Sequence, residues 1–259
     1  MMPVYRIRDG WNTIMNNNSI FDSCTDLLHQ NESVFIFPEG SHNLNRTVRT
    51  LSKGFTRIVF DTLEKYPETD LQLVPIGLNF ANAEKFVDSS SIYFGEPIAA
   101  KSFVTGDRNK DIVNLKHTIQ SKISKLTTHI PTENYKETLQ KLDALQVDYL
   151  NPKAVNTCIA NNFEDCKQKP KTSLNWLRAI LKGLLILNVL PPYLIWKFIV
   201  QPKIVEPEFT ATFRFAIVIT LVPLYLLIIR LVLASVFTST IGLSYFILVI
   251  TLNLLAVKL

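Results

Sequence analysis

The chain has 259 residues, 47% hydrophobic and 19% charged, with a mean hydropathy of +0.18, too apolar for an ordinary soluble domain. Its net charge of +5 comes with no nucleic-acid motif, and Lys167, Lys169, Lys171, Arg178 and Lys182 cluster just ahead of the most apolar sequence. That placement suits an anionic membrane surface better than nucleic acid, the plainer alternative being a solvated basic tail.

In chain order, Met1-Met2-Pro3 leads straight into strand-like sequence with no signal peptide. Pro3–Arg8 reads as a short strand closed by the turn Asp9-Gly10. Asn16 to Ser19 offers caps for a packing helix that carries Ile20, Phe21, Cys24, Leu27 and Leu28. Val34-Phe35-Ile36-Phe37, bounded by Pro38 and Gly40, has the pattern of a buried strand ending in a loop. Pro38 has no donor for a ladder and Gly40 permits positive φ, which holds Glu39 on a fixed turn at the sheet edge, where open α/β sheets bind ligands. Val48, Leu51, Phe55, Ile58, Val59 and Leu63 recur at helical spacing, interrupted by Lys53 and Gly54. Leu71 to Phe80 is a central strand broken by Pro75, and Ser91 to Ile98 is a further strand and turn. Two amphipathic helices follow, one between Asp107 and Ile130 and one carrying Tyr135, Leu139, Leu142 and Leu145. His117 and His129 lie on or beside them as ordinary histidines. Residues 151–172 form a polar, basic linker. Cys24, Cys158 and Cys166 are odd in number and lack metal-ligand spacing, so reduced thiols in a cytosol-like compartment are expected and no metal site is.

From Leu174 onward Leu, Ile, Val and Phe dominate. Leu184 to Val200 contains Pro191-Pro192 and reads as a kinked span or a re-entrant hairpin. Phe215 to Val257 is too long for one span and divides into two helices at Thr238–Gly242. Arg230 is costly at the bilayer centre unless it snorkels or finds a partner. The basic cluster favours placing the preceding domain on the cytoplasmic side of an integral membrane protein.

The run Phe37-Pro38-Glu39-Gly40-Ser41-His42-Asn43 resembles the Phe-Pro-Glu-Gly-Thr-Arg-Ser motif of the glycerophospholipid acyltransferases, the family of the lysophosphatidic acid acyltransferases. Four of the seven positions are identical, Ser41 replaces Thr, and His42 stands where the family has Arg. Two further stretches match in family order: Pro3–Arg8, a short apolar stretch with Arg, and Val74-Pro75-Ile76-Gly77, the family's Val-Pro run. The resemblance covers Met1 to about Ile130. It implies that Arg6 binds the substrate phosphate through its guanidinium fork, with Arg8 as a second candidate. It implies that Phe37, Pro38, Glu39, Gly40, Ser41 and His42 hold the acceptor's glycerol or phosphate end. Lys53 adds charge near the turn with Arg49, Arg46 is a stand-in for the missing Arg, and Val74 and Pro75 shape the acyl site.

Acyl transfer to a hydroxyl needs a base for the proton and donors for the developing oxyanion. In the family a His followed by four residues and an Asp supplies the base. Five positions after His29, His42, His117 and His129 stand Val34, Thr47, Lys122 and Asn134, so the motif is absent. Its family place is upstream of the Arg6 stretch, so the chain reads as N-terminally truncated, with His42 a remote candidate for the base. The expectation is an α/β fold, a mixed β-sheet flanked by helices and incomplete at the N-terminus, plus C-terminal transmembrane helices. Residues 1–150 would form the acyltransferase domain, 151–172 the linker and 173–259 a membrane region with two to three spans. The resemblance implies acyl transfer from acyl-CoA or acyl-carrier protein, as cosubstrate, to a lysophospholipid or glycerol phosphate at a lipid membrane, with no bound cofactor, no metal and no nucleic acid. The chain alone would be inactive. The alternative is a non-catalytic, membrane-anchored lipid-binding protein; a transport component is disfavoured by the low polar content of the spans.

Overall fold

The computed structural model describes residues 17–40, 43–85, 88–164, 166–169 and 175–258. The strand expected at Pro3–Arg8 lies outside them. The chain divides into two compact units, residues 1–80 with 90–168, and residues 81–89 with 169–259.

In the first unit, helix α1 (Asn17–His29) ends in a reversal, with Asn31 at φ 61° and Glu32 N–H on Leu27 O. It packs on α2 (Gly54–Lys65), joined by Arg57 to Asn18 at 2.9 Å and by Lys65 and Tyr66 to Asp26. The buried face of α2, Phe55, Val59, Phe60 and Leu63, meets Leu51, Leu71, Phe103, Leu115 and Ile119 in the main core. Leu115 and Ile119 come from α3 (Arg108–Leu126), whose N-cap Asp107 accepts from the amides of Asn109 and Lys110. A second cluster, Ile130, Leu142, Val147, Val155 and Cys158, joins α4 (Tyr135–Ala144) to α5 (Pro152–Ala160).

The sheet differs from the expected one. Among the described residues, two separate antiparallel ladders stand where a single mixed sheet was expected: β1 (Gln72–Leu73) with β4 (Ile98–Ala99), and β2 (Ile76–Phe80) with β3 (Ser90–Phe94). Val74 and Pro75 fall at the break, because Pro75 has no N–H to continue a ladder, and the halves on either side find different partners. Gly77 and Asn79 form the inward face of β2. A Cβ on Gly77 would lie 2.2 Å from Leu126 O, so only glycine fits this contact with the end of α3. The Asn79 amide accepts from Thr128 N–H and donates to Leu126 O.

Val34–Phe37 is not a buried strand. It has no regular secondary structure and is in no ladder among the described residues, and Phe35 and Phe37 are 65% and 71% exposed. An apolar run needs a neighbouring strand to become a buried one, and none of β1–β4 pairs with it.

Three boundaries move as well. The helix expected from Val48 begins at Gly54, and the one expected to reach Ile130 stops at Leu126. Both differences have one cause: segments 46–48 and 127–130 leave the helical path to bind each other, as described below. Within the stretch read as a linker, Pro152–Ala160 is helical, with Asn151 capping Ala154 N–H, and Asn156 donates to the carbonyls of Ser124 and Thr127. Reduced thiols were expected throughout, yet Cys158 and Cys166 form a disulfide, leaving Cys24 free and buried. The reversal after α5, with Asn162 and Phe163 at positive φ, folds the chain back and brings the two sulfurs together.

In the second unit, α6 (Asn175–Asn188) is followed by α7 (Leu190–Ile195), and the helical path continues to Lys203. Ala179–Asn188 and Leu190–Lys203 meet at 95°, at the double proline. Helix α8 (Thr210–Val236) and α9 (Ser239–Lys258) form a hairpin that breaks at Phe237–Thr238. A Cβ on Gly242 would lie 2.6 Å from Arg230 O, so the glycine sets the close approach of α9 to α8. Pro207–Val236, with mean hydropathy 2.6, is the one described helix long and apolar enough to cross a membrane by itself. The bent pair would add a second crossing if it acts as one span, and Ser239–Leu255 is a shorter apolar helix.

Candidate functional site

The Pro38-Glu39-Gly40 turn is built by residues on both sides of it. Gly40 adopts φ 74°, a left-handed value that a side chain disfavours. The Pro38 carbonyl accepts from Ser52 N–H at 2.7 Å, fastening the turn to the segment that leads into α2. Across this closure Glu39 Oε2 receives Arg49 Nε at 3.3 Å, with both side chains half-buried. Lys53, at the N-cap position of α2, is exposed next to Ser52 and makes no side-chain cap. The apolar lead-in is capped by the edge-on pair Phe35–Phe37, with centroids 4.9 Å apart.

Arg49, more than Arg46, therefore carries positive charge to the turn. Arg46 faces elsewhere: its Nη1 donates to Phe80 O at 2.7 Å and its guanidinium stacks over the Tyr149 ring at 3.7 Å. Burial pushes the Tyr149 hydroxyl well above its usual pKa, and its hydrogen bond to Asp143 adds to that. Arg46, named from the sequence as a stand-in for the missing Arg, makes these contacts, while Arg49 is the cation paired with Glu39. Sequence spacing alone did not separate Arg46 from Arg49, because the intervening chain is not helical.

What aims Arg49 is a strap between residues 46–48 and 129–130. Arg46 O accepts from Ile130 N–H at 2.7 Å, Thr47 Oγ1 donates to Ile130 O at 2.7 Å, and Val48 N–H donates to His129 Nδ1 at 3.0 Å. Accepting at Nδ1 keeps His129 neutral with its proton on Nε2. Desolvation lowers its pKa in the same direction. His129 is thus a structural acceptor. His29 stacks on Tyr66 at 3.8 Å and His117 is exposed. No histidine–carboxylate pair forms among the described residues.

Arg49 also lines a cleft of about 590 Å³, with Asn43, Asn45 and Thr47 on one wall and Thr132, Asn134 and Lys136 on the other. Three amides, hydroxyls and two cations line this part of it. Glu133 and Glu137 also border it, Glu137 being engaged by Lys141 at 2.8 Å, which holds its carboxyl below the usual range. Arg6, Arg8, Ser41 and His42 lie outside the described residues. Val74 is exposed and Pro75 buried at the break between β1 and β2, where Pro75 O accepts from Gly95 N–H. A larger hollow of about 840 Å³, bordered by Phe60, Leu63 and Val104, is lined by none of the candidate site residues. No group of His, Cys, Asp and Glu suited to a metal ion occurs among the described residues.

Set beside known proteins, the chain is 27% identical over 122 residues to glycerol-3-phosphate O-acyltransferase 2 of Saccharomyces cerevisiae, covering 46% of this chain and 16% of that protein. It is 25% identical over 84 residues to glycerol-3-phosphate O-acyltransferase 1 of the same yeast, covering 32% and 11% respectively. The matched stretch is acyltransferase-like. An uncharacterized acyltransferase of Schizosaccharomyces pombe is 29% identical over 66 residues, 26% of this chain and 10% of its own length. The matches thus span at most about a sixth of these relatives. No family model and no solved structure matches the chain. The likeness to these acyltransferases is thus partial, and the helix-rich fold with small ladders is consistent with it.

Proposed function

We propose that this chain is part of a membrane-bound glycerolipid O-acyltransferase that moves a fatty acyl group from a thioester, acyl-CoA or acyl-carrier protein, to a glycerol phosphate or lysophospholipid. The observation that carries this reading is the pairing of Glu39, on the Pro-Glu-Gly turn, with Arg49, which lines the cleft, in a chain that matches glycerol-3-phosphate acyltransferases over part of its length. In this reading Arg49 and Lys136 meet the acceptor phosphate, with Arg6 as a further donor. Glu39 orients Arg49, and the amides and hydroxyls of Asn43, Asn45 and Thr47 take the glycerol hydroxyls.

The chemistry is attack of an acceptor hydroxyl on the thioester carbonyl. A base removes the hydroxyl proton as the C–O bond forms, donors stabilise the oxyanion, and collapse expels the thiolate, which takes up a proton. His29, His117 and His129 do not serve as that base, since the first is stacked, the second is exposed without a carboxylate and the third accepts a backbone N–H. The base is another group, and a His-x4-Asp element in an upstream extension is the one the resemblance implies. Acylation of glycerol 3-phosphate and of a lysophospholipid panel, by membranes expressing this chain and an upstream-extended form, tests the reading. Activity lost in Glu39→Ala supports it; turnover unchanged in that variant refutes it. That no histidine–carboxylate pair forms among the described residues favours one second reading, a membrane-anchored lipid binder without turnover, which predicts lipid binding by both forms and acylation by neither.

A further inference from the structure

The acyl-transfer reading leaves the chain ahead of α8 without a task, and its composition is one-sided. From Cys166 to Val205 there are seven Lys or Arg residues and no Asp or Glu. Within this strip Ala179–Asn188 and Leu190–Lys203 meet at 95°, so the two arms cannot both lie along a membrane normal.

Two contacts within the second unit decide which arm turns aside. Helix α6 packs against α9, which itself pairs with the apolar α8. The arm 190–203, in contrast, places Trp196 against Arg214, whose guanidinium lies 5.8 Å from the ring. Arg214 sits in the second turn of α8, and the chain just ahead of that helix carries Glu206 and Glu208. This is the charged end of α8, and the ring of Trp196 lies beside it.

We propose that Leu190–Lys203 lies in the plane of the membrane at that end of α8 and seats on anionic lipid headgroups. Its 14 residues extend about 21 Å, too short to cross a hydrocarbon core of about 30 Å. Leu194, Ile195, Phe198 and Ile199 are exposed and enter the acyl-chain boundary. Tyr193, half-buried, is of the aromatic type enriched at such a boundary, while Trp196 is buried and anchors the arm from inside. Lys197 and Lys203, both exposed, meet the headgroups. Cations without an acidic residue, beside exposed apolar side chains on the same arm, are what commit the partner to anionic lipid, which offers negative charge and an apolar boundary together.

The inference rests on α8 crossing the lipid, and the test separates the two. The full chain, carrying Cys24→Ser and a single added nitroxide label, is reconstituted in phosphatidylcholine vesicles with 30 mol% phosphatidylglycerol (about this fraction mimics an anionic leaflet). Depth is read from oxygen and nickel accessibility. A label at Leu224 is expected deep; if it is shallow, the spanning reading itself fails. With Leu224 deep, labels at Leu194, Phe198 and Lys203 are expected at one shallow level. A depth changing by about 13 Å from Leu194 to Lys203, the value for a crossing helix at about 1.5 Å per residue, overturns the proposal. So do labels at Leu194 from two copies in close contact at high dilution, which would assign the face to self-association. The lipid preference is read from the association of spin-labelled phosphatidylglycerol relative to phosphatidylcholine. K197Q/K203Q is expected to lower it by up to about fivefold per cation, and an unchanged ratio overturns the anionic part of the proposal.

Discussion

Arg49→Gln separates a stabilising role of the Glu39 pair from a functional one. The two side chains are 31% and 32% exposed and 3.3 Å apart, so solvent screens them and their attraction is worth no more than about 1 kcal/mol of stability. Leu51, Phe55 and the strap to His129 hold this region regardless of the pair. A hydrogen bond from a guanidinium to a phosphate contributes about 1.5–3 kcal/mol, which at RT of about 0.59 kcal/mol is a roughly 10- to 150-fold loss in kcat/KM. The assay is acyl transfer to glycerol 3-phosphate by the upstream-extended protein, beside thermal unfolding of the same preparation. The variant is expected to unfold within a few degrees of the parent while kcat/KM falls in that range, mainly through the acceptor KM. Glu39→Gln acts through Arg49, so the double variant should lose little more than the worse single one. Full additivity, or an activity loss matched by a drop in stability of several kcal/mol, refutes the assigned roles.

Gly77→Ala puts a Cβ 2.2 Å from Leu126 O, and denaturant unfolding should find it destabilised by about 1–3 kcal/mol or more; an unchanged midpoint would contradict the packing of β2 on α3. His129 has a lowered pKa in the fold through burial, so the unfolded chain binds its proton first as pH falls. Stability should therefore be lost as pH drops from about 6.5 towards the folded value and level off below it. His129→Asn, which keeps an acceptor for Val48 N–H, should flatten that slope, and an identical slope counts against it. Reducing the Cys158–Cys166 bridge, whose sulfurs are eight residues apart in sequence, should destabilise the α4–α5 cluster by about 2.5 kcal/mol on loop-closure grounds, as read by hydrogen exchange at Leu142 and Val155. Gly242→Leu should loosen the α8–α9 hairpin, since its side chain meets Arg230 O and Ala234, and detergent-resistant protease protection of the C-terminal fragment should fall.

Local pattern made part of this molecule legible. Helices α1 to α4, the proline break at Val74-Pro75, the turn at Gly40 and the division of the last apolar run follow from periodicity and from what Pro and Gly do to a backbone. The misread parts depend on partners far away in sequence. A run such as Val34–Phe37 reads the same whether or not another strand lies beside it. The ends of the α2 and α3 helices are set by hydrogen bonds between Val48 and His129, 81 positions apart. Choosing Arg49 over Arg46 needed the same long-range bonds, because the two differ only in which way the strap turns them.

That strap also sets an order of events. The Pro-Glu-Gly turn occupies residues 38–40, yet the bonds that shape its support come from residues 129 and 130. A ribosome must therefore add some ninety residues beyond the turn before Arg49 can be aimed, and closing so long a loop precedes any gain from it. During that interval Phe35 and Phe37, exposed even in the finished fold, offer apolar surface to other chains. The same turn that reads most clearly in the sequence is among the last parts of the domain to take shape, and the nascent chain is most exposed to misassembly there.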